Sequence, residues 1–249
     1  MDTLAVVSGA ATGIGRAVAA ALAADGADVV MIGRRADLLS SAAAELNKSI
    51  GAERARAVSA DLTVPEEVER AASEIAVMGP TVDVLVNNAG GNFAPHPPGS
   101  LEQVRRDWIA NVTGNVLPAV LLTHALLPVL SRPGGRIITI GSIAAFRGPA
   151  TYGGSKAALH PWSSELAGRL APEGIAVNIV APGYIQDTEF YGERMNAEFH
   201  AGRAGQAPMG RGGTVEEVAA TVAHLAGPHA GFLTGQIIQI NGGAMPGRG

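Results

Sequence analysis

The chain has 249 residues, with 18 basic and 22 acidic side chains that give a formal net charge of −4 at pH 7. This acidic balance argues against a nucleic-acid partner, which would favour a basic surface, and the lack of cysteine excludes disulfide and thiolate chemistry. Because 47% of the residues are hydrophobic and 16% charged, disorder is not expected, and the length suits a single α/β domain.

Short apolar runs rich in β-branched residues alternate along the chain with longer, Ala-rich amphipathic segments. The predicted strands are residues 3–8, 28–32, 54–60, 82–87, 135–141, 175–181 and 236–240. The predicted helices are residues 13–24, 37–48, 66–77, 101–130, 152–171 and 215–226. Since strands such as 137–140 are apolar throughout and strands alternate with helices, the pattern predicts an α/β fold with a doubly wound, parallel, seven-stranded sheet covered by helices on both faces.

Several helix ends carry recognisable capping residues. Ser100 with Gln103, and Thr214 with Glu217, have the spacing of capping boxes at the starts of helices. Gly26 follows the first predicted helix, where a residue in the left-handed conformation commonly ends a helix.

A glycine-rich turn, Gly9-Ala10-Ala11-Thr12-Gly13-Ile14-Gly15, joins the first strand to the first helix. Glycines at these positions permit a tight turn and close approach of a pyrophosphate to backbone N–H groups at the helix N-terminus. The spacing is Gly-x3-Gly-x-Gly and differs from the common Gly-x-Gly-x-x-Gly fingerprint. The turn predicts a dinucleotide site, with a ligand-free βα turn as the alternative.

The second strand ends in two arginines, Arg34 and Arg35, where many dinucleotide sites carry an acid that binds the ribose hydroxyls. Guanidinium groups bind phosphate in a bidentate manner, so this pair favours NADPH over NADH, although NADH stays possible. Asp37 follows and is predicted to cap the next helix. The alternative is that both arginines are simply solvated.

Polar and small residues end the third and fourth strands. Asp61 and Leu62 can meet an adenine ring, although an aspartate here can equally begin a turn. Asn88, Ala89 and Gly90 lie where open α/β sheets bind ligands, at the carboxyl ends of the strands. A plain turn would use the same residues.

The strongest chemical pattern is Tyr152 followed four residues later by Lys156, which places both on one helix face. A neighbouring ammonium lowers the pKa of a phenol, so such a tyrosine can exchange a proton with a forming alkoxide. Ser142 lies just past the fifth strand and can hold the substrate oxygen. Asn111, on the preceding helix, can orient a water beneath the lysine.

These motifs together resemble the short-chain dehydrogenase/reductase family over essentially the whole chain, and residues 135–142 are most similar to β-ketoacyl-acyl-carrier-protein reductases and related carbonyl reductases. The resemblance also includes Pro182-Gly183 and the ending 233–243. It implies a single NAD(P)-binding Rossmann domain spanning residues 1–249. It further implies a catalytic tetrad of Asn111, Ser142, Tyr152 and Lys156.

The resemblance also implies cofactor contacts and an assembly. The implied and pattern-based cofactor residues are Gly9, Thr12, Gly13, Ile14, Gly15, Arg34, Arg35, Asp61, Leu62, Asn88, Ala89, Gly90, Tyr152, Lys156, Pro182, Gly183, Ile185 and Thr188. Family members similar to this chain are usually homotetramers in which the last strand and the preceding helix form one interface, so the resemblance implies a homotetramer, with acyl-carrier protein as a possible partner.

Three departures from the family pattern concern the site. Ser142 and Tyr152 are 10 residues apart, which shortens a wall that is longer in many relatives. Thr188 comes one residue later after Pro182-Gly183 than is common. Ser8 opens the glycine turn where threonine is usual.

Residues 184–213 form an irregular, glycine-rich stretch that is predicted to be a substrate loop or lid. The predicted substrate wall consists of Phe93, Ala144, Phe146, Tyr184, Phe190, Tyr191, Met195 and Phe199. An apolar wall favours a hydrophobic ketone or alcohol, and Arg105, Arg106 and Arg147 are candidates for a basic patch that meets an acyl-carrier protein. His96 and His160 lack further ligands at metal spacing, so no metal site is predicted.

The expected function is NADPH-dependent reduction of a ketone or 3-oxoacyl-type carbonyl to a secondary alcohol. An NAD-dependent alcohol dehydrogenase and a non-catalytic nucleotide sensor are the alternatives. The first strand begins near Thr3 and no uninterrupted apolar run reaches the ~18 residues of a membrane span, so we expect a cytoplasmic protein without membrane association.

Overall fold

Seven parallel strands form one sheet in the computed structural model, which describes residues 3–94, 99–186, 188–190 and 196–246. The strands are β1 (Leu4–Ser8), β2 (Asp28–Gly33), β3 (Ala55–Ser59), β4 (Val84–Asn87), β5 (Arg136–Ile140), β6 (Ala176–Pro182) and β7 (Ile237–Ile240). Their order across the sheet is β3-β2-β1-β4-β5-β6-β7, and every pairing is parallel. This confirms the predicted sheet, and each predicted strand boundary lies within two residues of the observed one.

Helices connect the strands and cover both faces of the sheet. They are α1 (Gly13–Ala24), α2 (Ala36–Ile50), α3 (Pro65–Ala76), α4 (Leu101–Asn115), α5 (Leu117–Leu126), α6 (Ala144–Arg147), α7 (Ala150–Leu170), α8 (Ala197–Ala204) and α9 (Val215–Ala226). Single 3₁₀ turns follow α5, α7 and α9.

Alternate side chains of the strands β1 to β6 enter two main hydrophobic cores on opposite faces of the sheet. In β1, Val7 packs with the helices α1, α2 and α9, whereas Val6 packs with α3, α5 and α7 on the opposite face. Successive side chains of a strand point to opposite faces, so a strand that is apolar throughout supplies both layers. Helix α5 contributes Leu122 and Leu126, both fully buried, and each such side chain stabilises the fold by about 1.5–3 kcal/mol.

The predicted single helix over residues 101–130 is wrong: two helices meet at Val116, and a 3₁₀ turn follows the second. Pro118 lies in the first turn of α5, and proline has no N–H to continue a helical hydrogen-bond ladder. Proline is tolerated in this first turn because that N–H has no intrahelical partner anyway.

The same segment, Leu101–Val129, is long enough and apolar enough to cross a membrane by length and composition, with a mean hydropathy of 1.5 over its most apolar window. The sequence expectation, based on uninterrupted apolar runs, overlooked it. A core helix passes the same test, and α5 packs its apolar side into the core beside α3. The absence of membrane association therefore stays a prediction.

The predicted helix caps are only partly correct. Thr214 and Glu217 form a complete capping box, and Gly26 has a positive φ of 94° just after α1. Ser100 accepts a hydrogen bond from the backbone N–H of Gln103, but the Gln103 amide donates to Asp107, so this box is incomplete. The prediction for Asp37 is wrong, because α2 already begins at Ala36 and Asp37 lies inside its first turn.

The order of the strands determines where a ligand can bind. β1 lies between β2 and β4, and the chain crosses to the other half of the sheet after β3. Helices on either side of this switch leave a crevice at the carboxyl ends of the strands, the usual ligand site of open α/β sheets.

Candidate active site

A cavity of about 1420 Å³ opens at the carboxyl edge of the sheet. It is larger than the ~300–1,000 Å³ of most small-molecule pockets and has room for a dinucleotide together with a substrate. The sequence-predicted residues that line it are Gly9, Thr12, Gly13, Ile14, Arg34, Arg35, Asp61, Leu62, Asn88, Ala89, Gly90, Phe93, Ser142, Ala144, Tyr152, Lys156, Pro182, Gly183, Tyr184, Ile185, Thr188 and Phe190. The structure thus brings most of the predicted site together.

The glycine turn after β1 needs its glycines for conformation and for space. Gly9 and Gly13 have φ angles of +64° and +53°, which side chains rarely adopt. Gly15 does not line the cavity, but a Cβ atom there would lie 2.2 Å from the Gly9 carbonyl oxygen. Gly15 therefore permits α1 to pack tightly against the turn, and Thr188 lies beside Gly13 on the cavity side.

Hydrogen bonds join the glycine turn to the turn after β4. The Asn88 amide donates to the carbonyl oxygens of Ser8, at 3.0 Å, and Gly9, at 3.1 Å. The Ser8 hydroxyl accepts from the backbone N–H groups of Asn88 and Ala89, each at 3.0 Å. Serine therefore supplies the acceptor needed at the position where threonine is usual, and the Asn88 side chain holds the backbone around the cavity.

Both arginines at the end of β2 have carboxylate neighbours. Arg34 Nη1 lies 4.0 Å from Asp61 Oδ2, and Arg35 Nη2 lies 3.0 Å from Glu189 Oε2. The Thr12 hydroxyl also donates to Glu189 Oε2, at 3.3 Å. A carboxylate from the segment after β6 thus binds both the glycine turn and Arg35.

The hydrogen bonds of Asp61 are those of an aspartate that begins a turn, which is the alternative to adenine binding that the sequence left open. Its Oδ1 accepts from the Thr63 backbone N–H at 2.9 Å and from the Thr63 hydroxyl at 2.8 Å. Burial opposes ionisation of Asp61, but the bonds from Thr63 and the charge of Arg34 outweigh it, so the pKa of this carboxyl lies below its usual value. Asp61 and Leu62 both line the cavity, so contact with an adenine ring stays a prediction.

Tyr152 and Lys156 lie one turn apart on α7 and are 8% and 4% exposed. Lys156 Nζ donates to the Ile140 carbonyl oxygen at the end of β5, at 2.9 Å. Burial lowers the pKa of Lys156 to about 8, because removal from water disfavours the charged form. The phenol and the ammonium therefore line one wall of the cavity, as the i, i+4 spacing predicts.

Ser142 lies opposite this helix in the short connection between β5 and α6. Its hydroxyl oxygen accepts from the Ala144 N–H at 3.1 Å, so its hydrogen can point to another acceptor. The 10-residue spacing between Ser142 and Tyr152 is possible because α6 packs directly on α7. A Cβ atom at Gly153 would lie 2.4 Å from the Ala144 carbonyl oxygen, so glycine is required at that contact.

Asn111 is fully buried in α4 and does not line the cavity. Its amide donates to the Asp107 carbonyl oxygen at 3.0 Å, and its Oδ1 accepts from the Phe93 N–H at 3.3 Å. Its side chain thus supports the loop after β4. Its expected role in orienting a water stays a prediction.

Apolar side chains form part of the predicted substrate wall. Phe93, Ala144, Tyr184 and Phe190 line the cavity, and the rings of Phe190 and Tyr152 are 5.2 Å apart. Tyr191 and Met195 lie outside the described residues, as does His96.

Two of the predicted wall residues do not line the cavity. Phe146 packs on His160 with ring centroids 4.8 Å apart, and Phe199 packs edge-on against Tyr184 at 6.5 Å. Burial lowers the pKa of His160. Within residues 3–94, 99–186, 188–190 and 196–246, no cluster of three His, Asp or Glu side chains is placed to hold a metal ion.

Several residues at the site were not among the residues predicted from the sequence to form it. Glu189 and Arg203 line the cavity, as do residues 241–244 at the end of the chain's family-like ending, and Asn115 lies behind the turn after β4. The spacing of four between Asn111 and Asn115 is a signal that could have revealed Asn115. Glu189 offers no such signal, since its partner Arg35 is 154 residues away.

Known proteins with this architecture are similar along nearly the whole chain. A family model described as enoyl-(acyl carrier protein) reductase matches residues 9–245. The 3-oxoacyl-[acyl-carrier-protein] reductase FabG of Aquifex aeolicus is 33% identical over 96% of this chain and 95% of its own length. FabG of Escherichia coli is 34% identical over 96% of each chain.

Solved structures agree with these relatives. A short-chain dehydrogenase from Burkholderia cenocepacia in complex with NADP is 35% identical, with a TM-score of 0.85 over 98% of this chain and 97% of that one. The Pseudomonas aeruginosa RhlG/NADP complex is 32% identical, with a TM-score of 0.85 over 97% and 96%. The chain therefore belongs to the short-chain dehydrogenase/reductase family of NAD(P)-dependent oxidoreductases.

Proposed function

We propose that this enzyme uses NADPH to reduce a ketone or 3-oxoacyl-type carbonyl to a secondary alcohol. The observation that carries the proposal is the placement of Tyr152 and Lys156, buried on one face of α7, in a cavity that Arg34 and Arg35 also line. The names of the FabG relatives, 3-oxoacyl-[acyl-carrier-protein] reductases, support the substrate class. The 184–213 segment would act as the substrate loop of a single cofactor-binding domain.

The residues at the cavity fit a phosphorylated dinucleotide. Thr12 and Arg35 donate to the Glu189 carboxylate, so the same donors can bind an anionic group once Glu189 is displaced. Arg34 and Arg35 would bind the 2′-phosphate, and the glycine turn with the N-terminus of α1 would bind the pyrophosphate. The NADP in both solved neighbours supports this cofactor. Further contacts would come from Leu62, Ala89, Gly90, Pro182, Gly183, Ile185 and Thr188.

The bound nicotinamide would supply the hydride for the carbonyl carbon. Tyr152 would donate its phenolic proton to the carbonyl oxygen, which stays bonded to carbon and becomes the hydroxyl of the alcohol. Ser142 would donate a hydrogen bond from its hydroxyl to the same oxygen while its own oxygen accepts from the Ala144 N–H. Lys156 would stabilise the resulting phenolate through its ammonium charge and would bind the cofactor ribose with the donors that Ile140 does not use.

The cavity wall supports an apolar substrate with an extended tail. Phe93, Ala144 and Phe190 would contact the group next to the carbonyl. Of the three arginines considered for carrier docking, Arg147 lines the cavity, whereas Arg105 and Arg106 contact Glu102 and Gln103 on α4. An acyl-carrier protein would therefore dock near Arg147.

A homotetramer is also proposed, with β7 in one of its interfaces. β7 is an edge strand of the sheet, and the nearby Phe232, Leu233 and Ile237 are exposed. Exposed apolar residues beside an unpaired strand edge favour contact with another copy. The cytoplasmic location stays a prediction.

The test measures the rate of cofactor oxidation from the loss of absorbance of the reduced nicotinamide. NADPH and NADH are compared in separate assays, each with apolar ketones, β-ketoesters and a 3-oxoacyl group carried by acyl-carrier protein as substrates. Faster turnover with NADPH is expected. Faster turnover with NADH would instead favour an NAD-dependent alcohol dehydrogenase, to which the carboxylates beside both arginines lend some support. Cofactor binding without turnover of any carbonyl would favour a nucleotide sensor.

A further inference from the structure

The cavity carries more positive than negative charge, although the chain as a whole has a net charge of −4. Its described acidic side chains each lie within 4.0 Å of an arginine side chain, and they are Asp61, Glu189 and Glu217. Within the part of the chain that the structure describes, three further basic side chains line the cavity without a carboxylate partner, namely Arg147, Lys156 and Arg203. This excess of positive charge favours an anionic ligand.

Arg203 is the member of this group that the proposed function does not yet use. It lies in the last turn of α8, and Ala207, just beyond the helix, meets the loop after β7, since a Cβ atom on Gly242 would lie 3.2 Å from the Ala207 Cβ atom. β7 is five strands away from β2, whose end carries the arginine pair, and this is roughly 24 Å for strands ~4.8 Å apart. Ser142 follows β5, between these two ends. Arg203 therefore lies on the substrate side of the reacting carbonyl, opposite the arginines proposed for the cofactor phosphate.

Aromatic side chains hold Arg203 at this place. Its guanidinium carbon lies 5.3 Å from the ring centroid of Phe199, and the Phe199 ring is edge-on to Tyr184 at 6.5 Å. A hydrogen bond between the Tyr184 hydroxyl and His200 Nδ1 connects α8 to the segment just after β6. The side chain of Arg203 makes no hydrogen bond to another residue that the structure describes, so its five N–H donors are available to a ligand.

A second donor lies next to Arg203 in the cavity wall. Gln206 is one turn further along the chain, where its backbone N–H donates to the Arg203 carbonyl oxygen at 3.2 Å, and it lines the same cavity. A guanidinium binds a carboxylate or a phosphate through two parallel hydrogen bonds, and an adjacent amide N–H can bind a further oxygen of the same group. Tyr184 and Phe190 line the cavity as well, with the Phe190 ring 5.2 Å from Tyr152. The wall thus offers apolar contacts near the proposed proton donor and cationic donors on α8.

We propose that Arg203 and Gln206 form a subsite for an oxyanion that the substrate carries away from its reacting carbonyl. The oxyanion is a carboxylate or a phosphate, because both present the oxygen geometry that a guanidinium binds. An oxo acid would supply a carboxylate, and a 3-oxoacyl thioester on a phosphopantetheine arm would supply a phosphate. The inference deepens the proposed function and rests on it for the identity of the reacting group.

The test compares two pairs of substrates whose members differ in charge but share the reacting carbonyl. One pair is a straight-chain oxo acid and its methyl ester, taken at several chain lengths. The other pair is a 3-oxoacyl thioester of phosphopantetheine and the same thioester of pantetheine. Within each pair, the ratio of kcat/KM for the anionic and the neutral member is measured with the wild type, Arg203→Gln, Arg203→Lys and Arg56→Gln. The last variant is the matched control, because Arg56 is an exposed arginine on β3 that does not line the cavity.

The wild type should favour the anionic member of at least one pair, and the pair that shows this preference identifies the source of the oxyanion. Arg203→Gln should lower the ratio by about tenfold to a hundredfold, the effect of losing a charge-assisted hydrogen bond, and mostly through KM, since the oxyanion does not react. Arg203→Lys keeps the charge and should keep part of the preference. Arg56→Gln should keep all of it. A merely structural role of Arg203 would lower kcat/KM for both members alike and leave the ratio unchanged.

A second measurement needs no turnover: isothermal titration calorimetry of a fatty carboxylate and of phosphopantetheine with the enzyme–cofactor complex. Binding that weakens about tenfold or more in Arg203→Gln, but not in Arg56→Gln, would support the subsite even if no carbonyl were reduced, and only the proposed function would then fail. Equal ratios in the wild type and Arg203→Gln for both pairs, with binding that does not depend on Arg203, would overturn the subsite and leave the reductase intact. If Arg203→Gln does not fold, Arg203→Lys decides by the same measures.

Discussion

Glu189 Oε2 lies 3.0 Å from Arg35 Nη2, so a carboxylate carried by the segment after β6 neutralises a cation at the end of β2. The two side chains are 59% and 62% exposed, and such pairs contribute only about 0–1 kcal/mol. The same carboxylate oxygen accepts from Thr12 in the glycine turn. A cofactor phosphate that uses Arg35 must therefore displace or rearrange Glu189.

Replacing Glu189 by glutamine should strengthen NADPH binding about two- to fivefold, because the phosphate no longer competes with a carboxylate for Arg35. NADH lacks the 2′-phosphate, so its affinity should change less. Fluorescence titration with both cofactors measures the two constants. Glu198→Gln, an exposed neutralisation in the first turn of α8, is the control for net charge. Equal gains for both cofactors would argue against direct competition at Arg35.

Replacing Arg34 or Arg35 by alanine should weaken NADPH binding by about tenfold to a hundredfold, since hydrogen bonds to charged groups contribute about 1.5–3 kcal/mol. The affinity for NADH should stay near its wild-type value. Arg16→Ala is a suitable control, because Arg16 is an exposed α1 residue paired with Glu45. If both variants keep the wild-type preference, another group binds the phosphate. Arg34→Asp should go further and favour NADH.

Tyr152→Phe should lower kcat by about a hundredfold to ten-thousandfold, the range that a positioned general acid contributes. Cofactor affinity should change little, because the ring keeps its packing against Phe190. Steady-state kinetics and a binding titration on the same preparation separate the two quantities. Near-normal turnover in this variant would remove Tyr152 from the mechanism.

Much of the fold could be predicted from the sequence, because the capping residues of the helices and the apolar residues that the strands bury are visible as local patterns. The strands were predictable as apolar runs, and the Thr214–Glu217 capping box marked the start of α9 in the sequence. The failures have local causes as well. The join at Val116 was missed although Pro118 signals it, and the short helices α6 and α8 lack the long amphipathic repeat on which the helix predictions relied.

The sequence predicted the parts of the site in which both interacting residues lie on the same segment, as Tyr152 and Lys156 do on a single helix. It was not predictable where the partners come from distant segments. Glu189 meets Arg35 across 154 residues, and Asn115 meets Gly91 across 24. Such contacts depend on how the elements pack. The spacing of four from Asn111 marks Asn115 but not its partner Gly91, and no local pattern marks Glu189. Asn88 is a third case. The sequence predicts that it lies at the cofactor cavity, and it does, but its side-chain amide donates to the backbone carbonyl oxygens of the glycine turn.

The lowered pKa of Lys156 should set an upper pH limit for activity, and it should lower the free energy of unfolding wherever the lysine is charged. Because burial lowers that pKa from 10.5 to about 8, the folded state is less stable by about 3 kcal/mol at neutral pH than it would be with an unperturbed lysine. This destabilisation is fully present below pH 8 and disappears as the pH rises to 10.5, where the unfolded chain also loses the proton. Reductase activity should fall above pH 8, as the ammonium is lost.

Lys156→Met should therefore abolish turnover and yet raise the free energy of unfolding at pH 7, since an apolar side chain of similar length needs no buried charge. The gain should shrink between pH 8 and 10.5. Urea unfolding of both proteins across this range measures it, with Lys48→Met as the control, because Lys48 is the other lysine of the chain and is exposed on α2. A constant difference between wild type and Lys156→Met at all pH values would mean that packing, rather than the buried charge, determines the effect. A loss of stability at pH 7 would mean that the bond to Ile140 outweighs the burial of the ammonium.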